Sequence, residues 1–279
     1  MKKAGYFFFS FLPLFVSLGL QFLASVPIMG FHLLGICLSG LFSGSKIPYS
    51  GFLMQFFDAV GSPASVTFTS ILYASAGIAV FGFWYAKQFS GNLNFPADRF
   101  SNPPLILGIV LMIPGLQIVS SVLTSAAAIM FPGWMDFYEE LMETAGLTGS
   151  PSLTLLLYAV LLGPIAEELT FRGVVLSSAK KALPFWAANL FQALLFGIFH
   201  MNVIQGIYAF FVGLFLGYIC ERGASIWLSI FLHILFNAWG TLISAFLSAP
   251  SMLLLCILSA AGFFLFHKNT SSRSVKYPD

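Results

Sequence analysis

Glu167, Glu168 and Arg172 stand inside an otherwise apolar run, Leu153 to Leu176, that is long enough to cross a membrane. On insertion scales each ionised side chain at mid-bilayer costs about 2.5–3.5 kcal/mol, so three left unpaired would cost roughly 8–10 kcal/mol. Such a run needs an internal partner or a wet cavity. Glu168 and Arg172 are four residues apart and share one helical face, which suits an ion pair. Glu167 points about 100° away from Glu168 and is left as the free carboxylate. A carboxylate without a cation partner is able to take a proton from a nucleophile, as a general base does. The competing reading is a neutralised charge cluster that only holds helices together. Pro164, three residues before Glu167, removes a backbone hydrogen bond and opens the helix near Gly163.

Two further apolar runs carry polar residues at helical spacing. His200 follows Phe196 by four residues, and Asn237 follows His233 by four. The second pair sets two side chains on one face, and two neutral donors aimed at one point are what a developing oxyanion needs. An interhelical hydrogen-bond clamp would use the same residues. Counted from the inner helix ends, Glu167 and His233 lie roughly 12–17 Å deep and His200 roughly 20–24 Å, a mismatch between residues expected to meet. The depth of Glu167 inclines the cavity toward the cytoplasmic face. Asn202 and Gln205 either line that cavity or cap a helix break, and Gly213 with Gly217 forms a small-xxx-small contact surface.

The elements that must hold these residues are membrane helices. The chain has 279 residues, 58% hydrophobic and 8% charged, with mean hydropathy +0.92. A soluble domain carries about 25% charged residues, so the fold class is an all-α polytopic bundle. Apolar runs near 6–42, 66–88, 104–131, 151–177, 185–201, 203–220, 225–246 and 250–267 give about eight spans. Lys2, Lys3, Lys87, Arg99, Lys180, Lys181, Arg222, Lys268, Arg273 and Lys276 all fall at alternate connections. Lys and Arg concentrate on the cytoplasmic side, so both termini are expected there, and only Lys46 breaks the pattern. The opposite loops hold Asp58, Asp136, Glu139, Glu140 and Glu143; the stretch Met135–Leu147 reads as a solvated or interfacial helix on the outer side. The apolar start is too long for a signal peptide and is expected to stay as a first span. The tail after Lys268 is expected to be disordered. By segment, 1–149 holds the N-terminal helices and the acidic outer loop, 150–246 the polar core, and 247–279 the last helix and tail.

Several classes are excluded. The net charge of +2 shows no basic stripe, so nucleic acid is not a partner. Cys37, Cys220 and Cys256 are far apart in sequence and form neither a metal motif nor a disulfide framework. No GxGxxG, P-loop, HExxH or GxSxG is present. A proton-coupled transporter using Glu167 and Arg172 as a relay would show internal repeats and paired broken helices, and neither is seen.

Glu167-Glu168-Leu169-Thr170-Phe171-Arg172, then Phe196-Gly197-Ile198-Phe199-His200, then His233-Ile234-Leu235-Phe236-Asn237 resembles the motifs EExxxR, FxxxH and HxxxN in order. These belong to the CPBP family, which contains type II CAAX prenyl proteases and bacteriocin-processing or immunity proteins, also called the Abi family. The resemblance covers about residues 150–245. It implies an integral multi-pass protein of a bacterial plasma membrane that hydrolyses a peptide bond in a peptide or membrane-protein substrate, with lipid around it. It further implies that Glu167 and His200 activate the water, that His233 and Asn237 stabilise the oxyanion, and that Glu168 and Arg172 shape the site. Cofactor use follows less directly: a metal-independent glutamate mechanism is favoured, and zinc, if used, would sit on Glu167, His200 and His233. The alternative is a non-enzymatic bacteriocin self-immunity protein or scaffold using the same cavity for binding.

Overall fold

A computed structural model describes residues 2–43, 48–90, 96–242 and 249–270. Lys46 and the tail beyond residue 270, with Arg273 and Lys276, lie outside the described residues. The described chain is all helix: α1 (Lys3–Phe9), α2 (Leu12–Ser43), α3 (Tyr49–Val60), α4 (Pro63–Tyr85), α5 (Ala97–Phe100), α6 (Pro103–Met130) and α7 (Pro132–Thr144) are followed by α8 (Leu153–Lys180), α9 (Phe185–Phe199), α10 (Val203–Gly223), α11 (Ile226–Leu242) and α12 (Ala249–Asn269). Six stretches, among them α4, α6, α8 and α10, are long and apolar enough to cross a membrane. Phe15, Phe22, Phe31, Phe83 and Phe264 stand exposed on the outside of the bundle, a pattern that lipid rather than water accommodates. The protein is an integral, multi-pass membrane protein. The expected count of eight crossings includes α9 and α11, which are shorter apolar helices; that count and the side of the termini rest on the sequence.

The helix starts follow capping chemistry. Ser62, Asn102, Ser152 and Asn202 each accept a hydrogen bond from a backbone N–H in the first turn of α4, α6, α8 and α10, and Pro63 and Pro103 fill the first helical position, where no N–H is needed. Asn202 therefore caps, while Gln205 faces the central cavity. The turn between α9 and α10 is tight, with Met201 at φ 52° immediately after His200.

Packing depends on small residues at the crossings. A Cβ on Gly108 of α6 would lie 2.8 Å from the Gly262 carbonyl of α12, and one on Gly217 of α10 would lie 1.9 Å from Asn189 Oδ1 of α9. The Gly213 and Gly217 pair thus makes the close contact expected of it. In α6, Pro114 breaks the regular ladder. The Ser259 hydroxyl of α12 enters the gap, accepting from Gly115 N–H (2.8 Å) and donating to the Leu111 carbonyl (2.9 Å). A side chain inserted in this way bends a helix. The C-terminal half of α6 is tied to α11 by Gln117 Nε2, which donates to the Phe236 carbonyl at 2.6 Å. Leu105, Ile109, Leu216, Leu232 and Phe266 pack between α6, α10, α11 and α12, and Tyr73, Ala166, Phe171 and Phe196 between α4, α8 and α9.

Candidate active site

α8 owes its shape to two wide-turn stretches, Leu157–Leu162 and Leu169–Leu176, that flank a regular turn, Gly163–Glu168. In the first, Gly163 N–H bonds to the Tyr158 carbonyl, five residues back. The next carbonyl, Ala159, would need the N–H of residue 164, and Pro164 has none. Asn237 Nδ2 donates to it instead, at 2.9 Å. Opening of the helix near Gly163 was expected from Pro164; the use Asn237 makes of it was not. Wide turns of this kind recur at functional sites.

Glu168 is fully buried and one of its oxygens, Oε1, serves two donors: Arg172 Nη1 at 2.8 Å and His233 Nδ1 at 2.8 Å. Arg172 is held further by the Gly213 carbonyl, which accepts from Nη2 at 3.1 Å, and its guanidinium lies 4.5 Å from the centre of the Phe196 ring. The expected pairing of Glu168 with Arg172 is present, and it recruits His233 from a helix 65 residues away.

Glu167 turns to the other side and lines a cavity with His200, His233 and Asn237. Its Oε2 lies 3.6 Å from His233 Nε2, beyond a direct hydrogen bond. His200 donates through Nδ1 to the Phe196 carbonyl at 2.8 Å. When either ring is neutral, Nδ1 thus holds its proton and Nε2 presents a lone pair. The mismatch between Glu167 and His200 disappears because α8 runs on to Lys180: Glu167 is then about 20 Å from that end, and His200 about 22 Å from the start of α9.

The cavity holds about 820 Å³, room for several residues of an extended peptide. One wall escaped the reading of the sequence. Gln117, Ser120, Ser121, Thr124 and Ser125 of α6 line it, at the i, i+3, i+4, i+7, i+8 spacing of one helical face. That hydroxyl stripe in an apolar helix was the available signal, overlooked because the first 130 residues look uniformly apolar. Tyr138 and Met142 of α7 and Tyr158 and Tyr208 also reach the cavity.

Among the described residues, no group of three or more His, Cys, Asp or Glu side chains is gathered closely enough to share a metal ion. Glu167, His200 and His233 line the same cavity without being gathered into such a group. All three cysteines are free, Cys220 buried and Cys37 and Cys256 exposed.

Residues 149–239, which carry all three motifs, match the model of the Rce1-like family, type II CAAX prenyl endopeptidases. Over 85 residues the chain is 26% identical to a Bacillus subtilis (strain 168) protein named "Putative membrane peptidase YdiL", covering 30% of this chain and 35% of that relative. The chain thus spans about a third of the length of the curated relative it matches. No solved structure matches the chain. The family match and the relative bear out the resemblance to CPBP proteases read from the motifs.

Proposed function

We propose that the protein is an intramembrane endopeptidase that hydrolyses a peptide bond of a polypeptide substrate with Glu167 as the general base. The observation that carries the reading is the division of labour between adjacent carboxylates. Glu168 is consumed by Arg172 and His233, while Glu167, unpaired by any cation, faces a cavity beside two histidine lone pairs.

In this mechanism Glu167 and His200 Nε2 orient a water molecule, and Glu167 takes one of its protons as the oxygen attacks the scissile carbonyl carbon. The carbon–nitrogen bond then breaks, and Glu167 passes the same proton to the leaving amine. Proton and bond counts balance without a further reactant. Asn237 Nδ2 has one hydrogen committed to Ala159; its second is free for the oxyanion. His233, whose Nδ1 proton is engaged on Glu168, donates to the oxyanion only in a form that carries a proton on Nε2 before the water attacks, since the proton Glu167 takes goes to the leaving amine. Glu168 and Arg172 orient His233 rather than touching substrate.

Purified protein incubated with a quenched peptide library is expected to cleave it, and to continue under a strong zinc chelator. Absence of cleavage by protein shown to be folded overturns the reading, and loss under chelator overturns the metal-independent form. A second expectation concerns Asn237→Ala. Loss of an oxyanion donor lowers kcat by about 10²–10³, while the orphaned Ala159 carbonyl lowers stability by about 1–3 kcal/mol. Turnover and thermal unfolding measured together separate the two; a stability loss with normal kcat would assign Asn237 to α8 geometry alone.

A further inference from the structure

Three of the helices that line the cavity do so with the halves that lie toward one face of the bundle. α6 contributes its C-terminal half, from Gln117 on; α8 its N-terminal half, up to Glu167; and α11 its C-terminal half, from His233 on. The rim is completed by α7 and the exposed loop position Thr148. The opposite helix ends meet on the other face of the bundle, and basic residues make the contacts there. Lys180 at the end of α8 pairs with Glu221 near the end of α10. Lys181 lies over the rings of Tyr6 in α1 and Phe89 just past α4. Arg222 donates through Nε to Thr270 Oγ1 at 3.2 Å, just past α12.

Among the described residues the Lys side chains and all Arg but one are confined to one face, where Asp98 and Glu221 also lie. Apart from Arg172, which is buried with Glu168, every Lys and Arg lies on the face away from the cavity. Among the described residues, the face at the cavity mouth carries Asp58, Asp136, Glu139, Glu140 and Glu143 and no Lys or Arg. Short connections rich in Lys and Arg are retained on the cytoplasmic side, and acids contribute little to that sorting.

We infer that the cavity opens to the extracytoplasmic side, so that its substrate is a polypeptide segment presented from outside the membrane: an exported peptide, or the external juxtamembrane segment of a membrane protein. This reverses the cytoplasmic opening suggested by counting residues to Glu167, since depth alone does not say from which end a mid-membrane carboxylate is reached. The hydroxyl wall of α6 lies on the entry route and offers donors and acceptors to an extended backbone. A cytoplasmic carboxyl terminus would approach the closed, basic face. The substrate part of this inference rests on the protease reading; the orientation does not.

The test places single cysteines in a chain with Cys37→Ala, Cys220→Ala and Cys256→Ala. Thr148→Cys and Asp136→Cys mark the mouth, Ser121→Cys the cavity wall, and Lys268→Cys the basic face. Intact cells are treated with a membrane-impermeant sulfonated maleimide. Labelling of the first three, and of Lys268→Cys only after permeabilisation, is the expected result. Labelling of Lys268→Cys alone in intact cells overturns the inference, as does failure of Ser121→Cys to react while Thr148→Cys and Asp136→Cys do. Asp136→Cys reports the orientation should Thr148→Cys not fold. A quenched peptide is then offered to sealed right-side-out and inverted vesicles of the wild type. Cleavage confined to right-side-out vesicles supports the substrate class, and cleavage confined to inverted ones overturns it. No cleavage in either orientation, with the labelling as expected, counts against the protease reading and leaves the orientation standing.

Discussion

Glu167→Gln is expected to lower peptide hydrolysis by about 10²–10⁴-fold, the contribution of a positioned general base, without a measurable change in folding. The substitution keeps the volume and the cavity-facing position of the side chain but removes its ability to take a proton. It is conformationally mild because Glu167 is not part of the ion pair: Arg172 and His233 are both held by Glu168. His200→Ala should also abolish turnover, for a different reason. Phe196 fixes the ring so that Nε2 presents a lone pair, and deletion leaves the water held from one side only. Single-turnover rates on a quenched peptide, with unfolding curves recorded on the same samples, check both. A Glu167→Gln variant that cleaves at near wild-type rate would move the base elsewhere. Equal loss of rate and of stability would mean that the carboxylate is structural.

Much of this site was legible because helical periodicity converts sequence distance into angle. Four residues between Glu168 and Arg172, and again between His233 and Asn237, put each pair on one face. The adjacency of Glu167 and Glu168 separated the paired carboxylate from the free one. Periodicity says nothing about which face meets which across helices. So the bond from His233 Nδ1 to Glu168 and the one from Asn237 to Ala159 were out of reach. Both alter the chemistry: His233, read as a neutral donor toward the oxyanion, has its ring proton engaged on Glu168. The wide turns of α8 were half legible, through Pro164. The all-helical, membrane-spanning class followed from composition. The direction of the cavity did not, because it depends on the residues of α6 and α7 that complete the rim, and neither helix carries a motif.

Arg172→Met is expected to destabilise the protein by about 3–5 kcal/mol, the cost of leaving a buried partner of an ion pair uncompensated. Arg172 Nη1 is one of two donors on Glu168 Oε1, and Nη2 anchors α8 to the Gly213 carbonyl of α10. With the guanidinium gone, Glu168 loses its cation partner and keeps His233, and the link from α8 to the Gly213 carbonyl, which also accepts from Gln192 Nε2 at 2.9 Å, is lost. Glu168→Gln combined with Arg172→Met should lose less stability than the two single changes summed, because neighbours sharing one network are not additive. Denaturant unfolding in detergent of the four proteins measures that coupling. The double variant also separates folding from positioning. It removes the carboxylate that holds His233 Nδ1, so it should stay slow on peptide even where its stability is recovered. Recovery of rate together with stability would show that His233 is oriented by packing against Phe196, whose ring lies edge-on at 5.9 Å, and not by Glu168.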